Sequence, residues 1–270
     1  MKFTYYTIAG KNPKLIRDHL KHVKVVAGFD ALPCEKELIV VVYCPQKIDF
    51  ETHQAVLAAV EEAGASVHIF MEPDSVFLTN LYACWNLGYE LADDGWVFRA
   101  GSDQVFNTDA FVHLYQVAEA QRQVEPWTIF QAQTFENAGY MRQSGMTSRH
   151  MVYEGGDGFD EFSQVAFDDH LRSVNAGVEK SLLNIAECLE AWGHPTQFQS
   201  SLGLIDRTDG CSWLMTKQDW LDHGPLPPME GGVTGDVMIH DRLQRAGYDN
   251  LLVRDCATYH FVRGESRSQY

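Results

Sequence analysis

The chain has 270 residues, of which 45% are apolar and 12% aromatic, and this composition excludes a disordered protein. Its formal net charge of −16 disfavours nucleic acid or an anionic membrane as a broad electrostatic partner. No segment approaches the roughly 20 apolar residues of a membrane-spanning helix, and residues 1–6 lack the pattern of a secretory signal. We therefore expect a soluble, cytoplasmic protein with no membrane span.

The first hundred residues alternate between short apolar runs and amphipathic stretches. Strands are predicted where β-branched and aromatic residues concentrate, at residues 3–9, 37–43, 66–71 and 96–100. Helices are predicted where apolar residues recur at three- and four-residue steps, at residues 13–23, 50–63 and 75–92. This order favours an α/β fold with a mostly parallel central sheet, in which ligands bind at the carboxyl ends of the strands.

The pattern is less regular after residue 109. Helices are predicted at residues 112–124, 174–192 and 236–246, and strands at residues 127–133, 211–216 and 250–253. Residues 136–160 and 225–232 are rich in glycine, proline or polar residues and are predicted to be loops. Since no repeat or low-complexity linker divides the chain, residues 1–270 are predicted to form one domain.

Several common site motifs are absent from the sequence. The loop after the first strand contains only Gly10, not the G-x-G-x-x-G of dinucleotide-binding proteins. There is also no G-x-x-x-x-G-K-[ST], H-E-x-x-H or G-x-S-x-G motif, and no regular calcium loop. The six cysteines form neither C-x-x-C pairs nor a compact framework, so we expect reduced thiols.

Asp103 follows the fourth predicted strand directly after a Gly-Ser pair, where a parallel sheet presents its ligands. An aspartate in this position is either a ligand of a metal ion or a turn residue that caps the next helix. Residues 78–106 resemble the GT-A glycosyltransferases, especially the family-two-like group, in which an asparagine-containing helix precedes a strand ending in D-x-D. Asn80 matches that asparagine, and Gly101-Ser102-Asp103 occupies the D-x-D position with its first acid missing.

The carboxyl-terminal third carries a second part of the resemblance. Residues 235–243 look like the E-D-x-D-L-x-x-R-L helix start of the family, with Gly235 in place of its glutamate. Residues 258–260 are similar to its late strand, which ends in a histidine. The resemblance implies that Asp236 is the general base of an inverting transfer and that His260 binds the metal or the phosphate. The alternatives are an Asp236 that only caps its helix and a His260 with no ligand.

The resemblance also implies where a sugar nucleotide binds. Ala9 and Gly10 in the first loop and Tyr43 in the second hold the nucleotide base, and Ser102 and Asp103 hold the ribose, the diphosphate and Mn²⁺ or Mg²⁺. Arg263 and Arg267 are either diphosphate ligands or ordinary surface arginines. Residues 1–125 then form the nucleotide-sugar half and residues 126–270 the acceptor half. Trp192, Trp213 and Gly231-Gly232 are candidates for an acceptor platform, although a core role for the tryptophans is also expected.

The expected activity is metal-dependent transfer of a sugar from a UDP- or GDP-sugar to an acceptor hydroxyl. The acceptor is a glycan, a small molecule, a protein or a modified nucleic-acid base. Two other functions stay open, a nucleotidyltransferase and a noncatalytic protein that binds sugar nucleotides or carbohydrates. Nucleotidyltransferases bind their triphosphate with a first loop that is rich in glycine and basic residues. The loop of residues 10–14 contains few of either.

Overall fold

The computed structural model describes residues 1–44, 49–71, 77–136, 151–193, 197–200, 203–206, 212–227 and 235–261. Its strands are β1 Lys2–Ala9, β2 Lys36–Cys44, β3 Ser66–Met71, β4 Gly95–Arg99, β5 Gln104–Phe106, β6 Thr128–Glu136, β7 Met151–Val152, β8 Leu182–Leu183, β9 Gln197–Ser200, β10 Gly203–Asp206, β11 Trp213–Thr216 and β12 Asp249–His260. Its helices are α1 Pro13–Val25, α2 Phe50–Glu62, α3 Phe77–Leu91, α4 Ala110–Arg122, α5 Gln164–Val174, α6 Ile185–Trp192, α7 Lys217–His223 and α8 Gly235–Arg245.

Ten of these strands form one sheet. Eight of them follow the order β3-β2-β1-β4-β11-β6-β12-β5, while β7 pairs with β6 and β8 pairs with β12. Strands β3, β2, β1 and β4 run parallel to one another, and β6 and β12 are also parallel to each other. Strand β11 is antiparallel to both β4 and β6, and β5 and β8 are antiparallel to β12. The predicted α/β class with a mostly parallel central sheet is confirmed.

Strand β1 shows how the sheet buries both of its faces. Alternate side chains point to opposite sides of a strand, and β1 is apolar on both sides. Phe3 and Tyr5 belong to the cluster that packs against α1, α2 and α4, whereas Tyr6 and Ile8 belong to the cluster with α3, α7 and α8. The sheet is therefore the middle of three layers at β1.

The predicted helix at residues 174–192 is wrong in extent, and a helix before it was missed. Helix α5 begins after Ser163, whose side chain accepts a hydrogen bond from the backbone of Ala166, and it buries Phe167 and Leu171. The helix ends at Val174 with Asn175 as its C-cap, and Gly177 just beyond has a φ of +86°, a conformation that favours glycine. The helix that follows covers only Ile185–Trp192.

Several strands also differ from the predictions, and β5 and β12 are the two that bear on the site. Strand β5 was missed because its three residues are too few to show a pattern. Strand β12 continues to His260 because a change of register between Val253 and Ala257 lets it pair further with β6. Within the described ranges, no helix is both long and apolar enough to cross a bilayer.

A candidate active site at the carboxyl edge of the sheet

Strands β1, β2, β4, β6 and β12 all run in the same direction, so their carboxyl ends meet at one edge of the sheet. Asp103 lies in the short connection between β4 and β5 at this edge. His260, at the end of β12, is paired with Glu136 of β6 on one side and with Gln104 of β5 on the other. The topology thus brings residues from the first and last thirds of the chain to one place.

Asp103 and His260 are in direct contact. Asp103 Oδ2 lies 3.1 Å from His260 Nε2, and the two side chains are 19% and 26% exposed. The backbone holds them in register, because the amide of Phe261 donates a hydrogen bond of 2.8 Å to the carbonyl oxygen of Asp103. A carboxylate and an imidazole are therefore fixed side by side and remain accessible to a ligand.

Glu136 approaches the other nitrogen of the same ring. Its Oε1 lies 3.5 Å from His260 Nδ1, and its side chain is buried. Burial alone lowers the pKa of His260, but the negative charges of Asp103 and Glu136 outweigh it and raise that pKa well above its ordinary value. This corner of the sheet edge consequently attracts positive charge.

The loop that carries Asp103 is tied to the sheet by hydrogen bonds. Ser102 Oγ donates to the carbonyl oxygen of Ile8 at 2.8 Å, which joins the loop to the end of β1. Gln104 Oε1 accepts hydrogen bonds from the amide of Gly101 at 2.8 Å and from Ser212 Oγ at 2.9 Å. These bonds fix the chain on both sides of Asp103.

His19 of α1 contacts the chain next to Asp103. Its Nδ1 lies 2.9 Å from the carbonyl oxygen of Gln104, and its Nε2 lies 2.6 Å from the hydroxyl of Tyr5. Burial, aided by the neighbouring His22, lowers the pKa of His19 to about 3, so the ring is neutral at pH 7. Because a carbonyl oxygen can only accept, we assign the proton of His19 to Nδ1 and the acceptor role to Nε2.

Two departures from the sequence pattern of the GT-A family have steric explanations. A Cβ on Gly101 would lie 2.5 Å from Asp103 Oδ1, so an acid at this position would displace the carboxylate of Asp103. A Cβ on Gly235 would lie 2.1 Å from the backbone carbonyl oxygen of Pro227. Without a rearrangement of that backbone, position 235 admits only glycine.

The structure describes some of the remaining predicted site residues fully, some only in their backbone, and some not at all. Ala9, Gly10 and Tyr43 stand at the same sheet edge, but Tyr43 is only 3% exposed and its ring stacks on Phe70. Asn80 lies in the first turn of α3 and Asp236 is the second residue of α8, while their side chains lie outside the described part of the structure. Arg263 and Arg267 lie outside the described residues altogether.

The candidate acceptor platform is only partly described. Trp213 is fully buried, its indole Nε1 donates a hydrogen bond of 2.5 Å to the hydroxyl of Tyr89, and the guanidinium of Arg99 lies 4.0 Å from its ring centre. Trp213 is therefore a core residue. Trp192 packs partly buried against the small cluster around Cys188. Gly231-Gly232 lies outside the described residues.

Sequence reasoning missed Glu136 as a site residue. The predicted strand stopped at residue 133, and Glu136 was assigned to the loop that follows. One signal was available, since an acid close to the carboxyl end of a buried strand stands at the same edge of a parallel sheet as Asp103. Its pairing with His260 spans 124 residues of sequence and could not be read from any local pattern.

Asp103 and His260 have suitable chemistry for a divalent cation. A carboxylate oxygen and an imidazole nitrogen both suit Mn²⁺. In an octahedral Mg²⁺ site the donors lie about 2.1 Å from the ion, so adjacent donors are about 3.0 Å apart; the two atoms here are 3.1 Å apart. Among the described side chains, no group of three or more His, Cys, Asp or Glu forms a complete metal site. The pair would thus need further ligands from a substrate and water.

No protein-family model and no curated protein sequence matches the chain. Solved structures of GT-A glycosyltransferases share its fold, among them the following three. TarS residues 1–349 from S. aureus align with a TM-score of 0.55 at 12% identity, over 96% of this chain and 60% of that one.

The other two structures contain ligands. GalNAc-T7 with UDP, GalNAc and Mn²⁺ has a TM-score of 0.56 at 10% identity, over 98% of this chain and 44% of that one. The mannosyltransferase PcManGT from Pyrobaculum calidifontis, in complex with GDP-Man and Mn²⁺, has a TM-score of 0.54 at 13% identity, over 97% of this chain and 57% of that one. At these identities the comparison establishes the GT-A fold, and the chain spans at most 60% of the length of these three proteins.

Proposed function

Starting from the GT-A fold, we propose that this chain is a glycosyltransferase that uses Mn²⁺ or Mg²⁺ to transfer a sugar from a UDP- or GDP-sugar to an acceptor hydroxyl. One observation carries the proposal, namely the 3.1 Å contact between Asp103 Oδ2 and His260 Nε2 at the carboxyl edge of the sheet. The solved complexes of GalNAc-T7 and PcManGT support the choice of donor and metal, since they contain UDP or GDP-Man together with Mn²⁺.

Asp103 and His260 would hold the metal, which supplies positive charge where the leaving diphosphate becomes more negative. The imidazole favours Mn²⁺ over Mg²⁺. Ser102 fixes the loop to β1 through its bond to Ile8, and the buried His19 supports the same loop. These residues keep the carboxylate of Asp103 in place while the leaving group departs.

Asp236 would be the general base. It takes the proton of the acceptor hydroxyl as that oxygen attacks the anomeric carbon, and the bond from that carbon to the diphosphate oxygen breaks. Asp236 stands in the first turn of α8, where the positive end of the helix dipole favours negative charge. The products are the glycosylated acceptor and a nucleoside diphosphate.

The remaining predicted residues complete the donor site in this proposal. Ala9, Gly10 and Tyr43 would bound the nucleotide base, with Tyr43 contributing mainly its backbone because its ring is buried. Asn80 and Arg263 would contact the ribose-diphosphate unit. The acceptor is a glycan, a small molecule, a protein or a modified nucleic-acid base.

Incubation with Mn²⁺ and a panel of UDP- and GDP-sugars tests the proposal. Even without an acceptor, we expect slow hydrolysis of at least one donor, together with a rise in melting temperature that requires both donor and metal. Metal-dependent donor binding without turnover would instead indicate a noncatalytic sugar-nucleotide protein. Release of pyrophosphate from a nucleoside triphosphate would indicate a nucleotidyltransferase.

A further inference from the structure

The contact between Glu136 and His260 has a specific geometric consequence for the proposed metal site. The two ring nitrogens of an imidazole point away from each other, so each can serve a different partner. Here Nε2 faces Asp103 at 3.1 Å and Nδ1 faces Glu136 at 3.5 Å. A cation beside Asp103 can therefore contact Nε2 only, and Glu136 lies on the far side of the ring.

A cation that binds Nε2 displaces any proton from that nitrogen, and the neutral imidazole that results carries one proton. When Nε2 binds a cation, the proton must be on Nδ1, and that N–H then needs an acceptor. The Glu136 carboxylate is positioned to be this acceptor. Metal-binding histidines commonly donate their other N–H to a carboxylate, which fixes the tautomer and the orientation of the ring.

We propose that Glu136 is a positioning residue that accepts the Nδ1–H of His260 and so directs the Nε2 lone pair to a divalent cation beside Asp103. This inference rests on the proposed function for the existence of the cation. It adds a residue that acts through His260 rather than on the substrate. The parallel pairing of Glu136 with His260 and the burial of the glutamate hold the acceptor in place.

Binding of Mn²⁺ alone, without a sugar nucleotide, provides the test and can be followed from the electron paramagnetic resonance signal of the free ion. Glu136→Leu removes the acceptor and should weaken Mn²⁺ binding by about 10–100-fold. Glu136→Gln keeps an acceptor oxygen and should recover most of that loss. Glu62→Gln, an exposed position on α2, is the matched control and should bind as wild type does.

The variants separate this inference from the proposed function. If wild type does not bind Mn²⁺, the proposed metal site fails. If His260→Ala loses binding while Glu136→Leu retains it, only the inference about Glu136 is overturned. Equal losses in Glu136→Gln and Glu136→Leu would also overturn it, because Glu136 would then act through its charge or as a ligand.

A second measurement uses only wild-type protein and therefore tests the proposal even if Glu136→Leu does not fold. Nitrogen-15 spectra of histidine-labelled wild type with Mg²⁺ report which ring nitrogen is protonated. We expect His260 to be protonated at Nδ1 and unprotonated at Nε2. Protonation at Nε2 in the Mg²⁺-bound protein would contradict the proposal.

Discussion

At the scale of single residues, Asp103 gains its proposed role from a partner that is 157 positions away. The sequence predicted that an acid would stand at the end of β4 and that a histidine would end a late strand. It could not predict that the two atoms lie in contact, because this depends on the pairing of β12 with β5 and β6 in the folded sheet. Glu136 was missed for the same reason, since its relation to His260 exists only in the folded sheet.

Replacing Asp103 with alanine tests the metal-binding role. We expect the loss of Mn²⁺ affinity to exceed the roughly 10–100-fold that removal of an outer-shell partner costs, because a direct ligand is removed. Metal-dependent donor binding should disappear as well. Isothermal titration with Mn²⁺, then with donor, measures both. Asp249→Ala, an exposed acid at the opposite end of β12, is the control, and unchanged binding in Asp103→Ala would show that the motif was misread.

Asp236→Asn tests the proposed base. An amide cannot take the proton of the acceptor, so we expect turnover to fall by about 10²–10⁴-fold while donor and metal affinity stay near wild type. Asp241→Asn, on the same helix and paired with Arg245, controls for the loss of an acid from α8. A variant with full turnover would exclude Asp236 as the base.

At the scale of elements, α8 begins at Gly235, where the absence of a Cβ lets the helix lie close to the backbone of Pro227. The sequence predicted this helix and its start well, since the periodicity and Gly247 mark both ends. The steric need for glycine at position 235 was not predictable, because it depends on how closely the backbone of Pro227 approaches in the folded protein. The glycine that looked like a lost acid is a packing requirement.

Gly235→Ala should therefore destabilise the fold by about 1–3 kcal/mol, since a methyl group must displace backbone atoms. Urea unfolding measures the change. Gln244→Ala, an exposed substitution in the same helix, is the comparison. Because Asp236 is the next residue, turnover should fall more than Mn²⁺ binding does. Stability and turnover equal to those of wild type would mean that Gly235 is not sterically required.

Elsewhere, the accuracy of the element predictions followed the strength of the local signal. Strands β1 to β4 and helices α1 to α3 alternate regularly and were predicted to within a few residues. Helix α5 has only two buried residues, Phe167 and Leu171, and much of its stabilisation comes from packing on β6 and β12. Tertiary contacts of this kind leave little trace in the sequence.

At the scale of the whole molecule, the protein contains two buried histidines on α1 that couple its stability to pH. Burial lowers the pKa of His19 to about 3 and that of His22 to about 4, both below the ordinary value near 6.5. Below pH 6.5 the unfolded chain binds protons at these sites before the folded chain does. Protonation consequently favours unfolding, and the stability present at neutral pH is lost as the pH falls towards 4 and 3.

The expected effect is a decrease in the free energy of unfolding of up to about 1.4 kcal/mol per pH unit for each histidine between pH 6 and 4. Urea unfolding at a series of pH values measures it. His19→Gln should remove the contribution of one histidine to this dependence of the unfolding free energy on pH. It should also lower stability at pH 7. His113→Gln, on α4, is the matched control. An unaltered slope in His19→Gln would contradict the assignment of a neutral His19.

The most direct test of the proposed site is the position of Mn²⁺ in a crystal of the protein grown with a nucleoside diphosphate. Anomalous scattering near the manganese edge locates the ion independently of any assumption about its ligands. We predict one strong peak within coordination distance of Asp103 Oδ2, His260 Nε2 and the diphosphate oxygens. An ion bound elsewhere, or a diphosphate bound at this edge with no metal between it and Asp103, would contradict the account.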